Sequence, residues 1–156
     1  MLIDGIEIPI SDGENATKYD DWAFYRNQFQ KVGAGQKGVD IITIDNDKVL
    51  RLIELKDYRR NERTKNIEIS LEIADKVRDT IAGIFTASIN ANDNYEKEFS
   101  KKCLQSNKIK VILYLLQPKI NSKLFPIKIN IVNLTKDLKR KIKAIDPRPK
   151  VIGNIV

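Results

Sequence analysis

The sequence predicts an α/β fold: one domain over residues 1–156, with a mixed central sheet and helices on both faces. Three observations lead there. The elements read in the order helix, strand, strand, helix, helix, strand, strand, helix, which builds layers rather than a bundle or a sandwich. The run Val111-Ile112-Leu113-Tyr114-Leu115-Leu116 is apolar on both alternating faces, as in a strand covered on two sides. At 156 residues and 42% apolar content, the chain can fill one core and needs no second domain.

Leu2 to Ile10 alternates apolar and polar residues around Asp4-Gly5, which predicts a small N-terminal strand or ribbon. Ser11 to Glu14 has the S-x-x-E form of a capping box, so a helix is expected to begin there. Tyr19, Trp22, Ala23, Arg26, Phe29 and Gln30 mark its rows, and it ends before Gly33. Its aromatic stripe reads as core, with base stacking open only to whichever of Trp22 or Tyr25 faces outward. Val32 to Gly38 is a helix-to-strand connection without the spacing or the Ser/Thr of a P-loop, from which Gln36 or Lys37 could reach a phosphate.

Two strands then flank Asp45-Asn46-Asp47-Lys48, whose residue types suit a hairpin turn. Tyr58 to Lys65 is basic, lacks apolar anchors and is expected to be an exposed loop. Ile67 to Ile89 carries apolar residues at helical spacing and predicts a long crossover helix. The polar stretch Asn90 to Asn94 ends it, and Tyr95 to Ser106 reads as a shorter helix with Phe99, Cys103 and Leu104 inward. Lys108 to Gln117 is the central strand, and Pro126 to Val132, with alternating Lys128 and Asn130, is expected at an edge. Thr135 can cap a last helix with the apolar row Leu134, Leu138, Ile142 and Ile145. Its other side carries Lys136, Lys139, Arg140, Lys141 and Lys143 against Asp137. This basic helix and a short tail from Asp146-Pro147-Arg148-Pro149 onward occupy about residues 134–156.

The hairpin is where chemistry concentrates. Residues two apart on a strand share a face, so Asp40 accompanies Ile42 and Ile44, while Glu54 and Lys56 accompany Leu50 and Leu52. A three-residue loop, Asn46 to Lys48, sets Asp45 opposite Val49 and Asp40 opposite Glu54, with Cβ atoms roughly 5 Å apart. A two-residue loop would pair Asp40 with Ile53 instead. Two carboxylates on a largely apolar face repel and need a counter-charge. Mg²⁺ supplies it with oxygen ligands and few carboxylates, Mn²⁺ can substitute, and Lys56 one pleat along can stabilise charge on a phosphate. A solvated edge hairpin with a surface ion pair would present the same residue types without function, but such a face should not also carry four large aliphatic residues.

Asp40, followed after thirteen residues by Glu54-Leu55-Lys56, resembles the PD-(D/E)xK nuclease superfamily, also called restriction-endonuclease-like, although Val39 stands where the name-giving motif has Pro. The resemblance implies a restriction-endonuclease-like core in which Asp40 and Glu54 bind metal, the Leu55 main-chain carbonyl adds a ligand, and Lys56 is the catalytic lysine. It also implies an acid from the first helix, for which Glu14, Asp20 and Asp21 are candidates, and a basic side chain from the crossover helix, for which Lys76 and Arg78 are candidates.

The charge of +7 and pI near 9.4 favour a polyanionic partner. Lys37, Arg59, Arg60, Lys76 and Arg78 are the candidate nucleic-acid contacts. With no histidine and one cysteine, a histidine-base nuclease, a Ser-His-Asp hydrolase and a Cys/His zinc site are excluded. No apolar run approaches the ~20 residues of a membrane span, no secretory signal is expected at Met1 to Gly5, and the lone Cys103 suits the cytoplasm. The expectation is therefore a cytoplasmic Mg²⁺-dependent DNA endonuclease that hydrolyses phosphodiesters with a metal-activated water and could act as a homodimer. The rivals are a non-cleaving nucleic-acid-binding module of the same fold and a regulatory subunit of a larger complex.

Overall fold

Strand alternation and two crossovers build the sheet. A computed structural model describes residues 1–118 and 128–153. Its N-terminal ribbon pairs β1 (Leu2–Ile3) with β2 (Ile6–Glu7) across Asp4-Gly5, both at positive φ, as a tight hairpin turn requires. The central sheet has the order β3-β4-β5-β6-β7, comprising Asn15–Lys18, Ile41–Ile44, Val49–Asp57, Lys108–Leu116 and Lys150–Gly153. The first two pairings are antiparallel and the last two parallel. The sheet is mixed, as expected. Between β5 and β6 run α2 (Ile69–Asn90) and α3 (Asn94–Leu104), and α4 (Ile131–Ile142) lies between β6 and β7. Parallel neighbours need such crossovers.

Helices on both faces were expected, yet all the described helices pack on one. Ile42, Ile44, Leu50, Leu52, Val111, Leu113 and Leu115 share a core with Ile73 and Val77 of α2, Phe99 and Cys103 of α3, and Leu134, Leu138 and Ile142 of α4. The opposite face gathers Ile41, Ile53 and Tyr114 under Ile3 and Ile8 of the ribbon. A ribbon takes the place of a helical layer there.

Five further expectations are corrected. Ser11 to Glu14 is no capping box. Glu14 instead pairs with Arg51 at 2.9 Å, and the chain continues as β3, whose edge position satisfies the backbone without a helix. Only Ala23–Asn27 (α1) is α-helical, with single 3₁₀ turns before and after it at Tyr19–Asp21 and Phe29–Lys31. Residues 126–127 of the predicted Pro126 to Val132 strand lie outside the described residues, and Ile131 and Val132 open α4, so that strand is absent from its described part. The cap of α4 is Asn130, whose side chain accepts from the Asn133 N–H, rather than Thr135, whose hydroxyl donates back to the Ile131 carbonyl. The supposed tail contains β7, anchored by the fully buried Asp146, which accepts from the Val111 N–H at 2.8 Å and the Arg148 N–H at 2.9 Å.

The aromatic stripe is core. Trp22 and Tyr25 are both buried, Trp22 donating to the Thr17 hydroxyl and Tyr25 accepting from the Gly38 N–H, so neither is open to a base. Glu96 of α3 reaches back to accept from the N–H groups of Ala23 and Phe24, holding the otherwise short α1 in place. Gly38 and Gly83 leave room for Tyr19: a Cβ at Gly83 would stand 1.9 Å from its hydroxyl.

Candidate functional site

The hairpin forms the three-residue loop. Asp45 and Val49 face each other, Lys48 takes a positive φ of 58°, and Ile41 pairs with Ile53 and Ile42 with Leu52. The pairing ends at Ile41 and Ile53, and Asp40 lies just before β4. The Asp40 N–H donates to the Ile53 carbonyl at 3.1 Å, and the Leu55 N–H donates to Asp40 Oδ2 at 2.7 Å. The Leu55 main chain therefore reaches the site through its amide.

Glu54 is only 1% exposed although it is a carboxylate on an apolar face. Two ammonium groups compensate it: Lys56 Nζ lies 2.7 Å and Lys76 Nζ 2.6 Å from its Oε1. Lys76 Nζ is also 3.9 Å from Asp40 Oδ1, so it bridges the two acids. The other oxygen, Glu54 Oε2, is buried without a hydrogen-bond partner among the described residues. Burial first, and the Glu54 charge second, raise the Asp40 carboxyl to about 6. A negative charge is thus only partly balanced at this spot.

Glu72, in the first turn of α2, is the residue that sequence reasoning missed. It is 3% exposed and gathers Lys56 at 3.0 Å, Arg63 at 2.7 Å and Lys65 at 2.7 Å. Burial opposes its ionisation, but hydrogen bonds from Lys65, Arg63 and Lys56 outweigh that and lower its carboxyl to about 2. For Lys56, burial favours the neutral amine, yet Glu54 and Glu72 together hold its pKa above the ordinary lysine range. Helical spacing by itself would pair Glu72 with Lys76, one turn apart. Instead Glu72 turns to the 58–65 loop and Lys76 to the carboxylates. The cue for this lay only in the pairing of a basic loop with an acid at the start of the following helix.

The other candidates stand apart from this cluster. Arg78 is 67% exposed and pairs with Asp75 and Asp79. Arg59 is forked onto Asp57, Arg60 is exposed, and exposed Lys37 donates its backbone N–H to Asp79. Of the first-segment acids, Glu14 is held by Arg51 and Asp21 by Arg26, while the Asp20 carbonyl accepts from Arg26. No group of three or more His, Cys, Asp or Glu side chains among the described residues is placed to hold a metal. Cys103 is buried, and burial pushes its thiol up to about 12, so it is no nucleophile.

A second charged feature lies on α4. Its apolar row is buried, while Lys136, Lys139, Arg140, Lys141 and Lys143 are exposed. Asp137 is taken by Arg140, and Lys141 reaches Glu68 at 3.1 Å. Asn133, Lys136, Asp137, Lys139 and Arg140 line a shallow depression.

Comparison with known proteins adds a relation that the geometry alone does not give. The chain is similar to a cysteine--tRNA ligase of Neisseria meningitidis serogroup A. The two are 34% identical over 151 residues, covering 78% of this chain and 22% of that ligase. This chain thus spans about a fifth of the length of the curated relative it matches. No family model and no solved structure matches it. The finding corrects the expected function: the similarity is to a tRNA ligase, not to a nuclease, and the DNA endonuclease, hydrolase and DNA-binding expectations are withdrawn on that ground. The E-x-K triplet misled because acids and a lysine that neutralise one another on a buried face share the residue types of a cleavage site. Among the described residues, no helix is long and apolar enough to cross a membrane.

Proposed function

We propose that this chain is a tRNA-engaging domain related to part of a tRNA ligase, and that the exposed cations of α4 hold the RNA backbone. The observation that carries the reading is the conjunction of 34% identity to a cysteine--tRNA ligase segment with a helix that buries one side and presents four cations on the other, with Lys143 at its C-terminal cap. Phosphate contacts of this kind supply affinity with little sequence demand, as suits a domain that positions a folded RNA. The excess of Lys and Arg over Asp and Glu, 28 against 21, draws the RNA in from a distance.

The Asp40 and Glu54 pair belongs to the same proposal as a site for Mg²⁺, with Mn²⁺ able to replace it. The residues fit such an ion: the donors are hard oxygens, Glu54 Oε2 is buried and unpartnered, and only two carboxylates are required. Asp40 and Glu54 would hold it, with the Leu55 carbonyl as the further ligand the superfamily resemblance implies. A bound ion would supply local positive charge that draws an RNA phosphate oxygen to this end of the hairpin. Lys56, fixed between Glu54 and Glu72, presents an ammonium that stays charged, and Arg60 and Lys37 are exposed cations close by in sequence. The restriction-endonuclease-like core is likewise a proposal for the scaffold alone, supported by the hairpin register and the mixed sheet.

Equilibrium binding of labelled tRNA at several salt concentrations tests the reading. Four to five phosphates neutralised by α4 give a slope of log K against log salt of about −4. A slope near zero, or no binding at low salt, would refute it.

A further inference from the structure

Lys56 and Lys76 both touch Glu54, but they are held very differently. Lys56 is tied at a second point by Glu72 and is 14% exposed, so its position does not depend on Glu54 alone. Lys76 is equally shielded, yet among the described residues it pairs only with Glu54 and Asp40. It comes from the middle of α2, opposite the hairpin, on a flexible four-carbon stem. Its ammonium bridges the two carboxylates that a divalent cation would bridge, so the two compete for one place, whereas Lys56 pairs with Glu54 but not with Asp40.

We infer that Lys76 is a resident counter-cation of the Asp40 and Glu54 pair, which keeps divalent metal out until an RNA phosphate draws the ammonium away. The inference rests on the reading of this pair as a metal site and deepens it by naming what controls occupancy. In the free protein Lys76, together with Lys56, offsets part of the charge of the pair, so the fold does not require metal. When a backbone phosphate arrives, the ammonium exchanges a carboxylate for a phosphate oxygen, Glu54 and Asp40 become available to the ion, and metal binding is coupled to RNA binding. Lys56 stays in place through the exchange because Glu72 retains it. Lys76 is thus a positioning residue, not a metal ligand.

Mn²⁺ binding, followed by loss of the free aqua-ion signal in electron paramagnetic resonance, tests this without any activity. Wild type is compared with Lys76→Gln, Lys76→Met, Lys76→Arg and Glu54→Gln, with folding checked by Trp22 fluorescence. Both neutral variants should bind Mn²⁺ about tenfold or more tightly than wild type, since a full positive charge beside the ion is gone. Lys76→Arg should stay within about threefold of wild type and Glu54→Gln should bind least. Adding tRNA, with the Mn²⁺ taken up by tRNA alone subtracted, should move wild type toward the Lys76→Gln affinity. Equal or weaker binding in Lys76→Gln and Lys76→Met would overturn the role of Lys76 while leaving the metal site standing. Absence of Mn²⁺ binding in every variant would overturn the metal site itself and this inference with it.

Discussion

Replacing Glu72 by Gln removes one buried charge and keeps its shape, which makes the consequence calculable. Three cations converge on this carboxylate, and its pKa falls from 4.5 to about 2. A depression of that size corresponds to an upper bound of about 3 kcal/mol at neutral pH. Lys65 is half exposed and screened by solvent, so about 2 kcal/mol is the better figure. Because the folded-state pKa lies below the unfolded one, this stability is fully present above pH 4.5 and is lost as pH falls toward 2. Urea denaturation followed by Trp22 fluorescence, at pH 7 and at steps down to pH 3, measures the gap between the wild-type protein and Glu72→Gln. A gap of about 2 kcal/mol that narrows below pH 4.5 is expected. A gap under about 0.5 kcal/mol at pH 7, or one that does not change with pH, would refute the view that Glu72 is the keystone of the loop-to-helix ion cluster.

Two further outcomes follow from the packing and the charge pair. Gly83→Ala forces a methyl group to within 1.9 Å of the Tyr19 hydroxyl, whose ring is fully buried and cannot retreat, so the variant should lose about 1–3 kcal/mol and its melting temperature should drop; an unchanged melting temperature would show that α2 and the Tyr19 turn are not in contact. Asp40→Asn should stabilise the protein by about 1–2 kcal/mol at pH 8 in chelator, because the raised pKa of about 6 means that the ionised Asp40 is a burden to the fold. That burden grows as pH rises from 3.8 through 6 and is absent below that window, so the advantage of Asn should disappear near pH 4, and stabilisation that persists there would contradict the assignment.

Where the sequence was legible, a strong local period carried the information. The hairpin register followed from loop length and the apolar rows of Ile42, Ile44, Leu50 and Leu52, and α2 from its helical spacing. Asp40, Glu54 and Lys56 could be named as neighbours for the same reason, whereas Lys76 came only from the superfamily resemblance. What failed did so where long-range partners override local signals. The Ser11 to Glu14 motif satisfies a helix start on paper, but pairing along β4 and the Arg51 partner of Glu14 made a strand the better state. β7 has only four residues, and nothing local announces it; it exists because β6 offers a parallel edge and Asp146 anchors the approach. The function was misread because periodicity reports which groups meet, not what they do to a partner. Acids and lysines that balance one another on a buried face and those that cut a phosphodiester share one pattern.

The central claim is that α4 faces tRNA, and reversing its charge tests it most directly. The variant Lys136→Glu, Lys139→Glu, Lys143→Glu leaves the buried row of Leu134, Leu138 and Ile142 untouched, so the helix should stay docked. Measured by fluorescence anisotropy at fixed low salt, its affinity for tRNA should fall at least about a hundredfold, and its salt slope should flatten by about three. Unchanged affinity and slope in this variant would contradict the account.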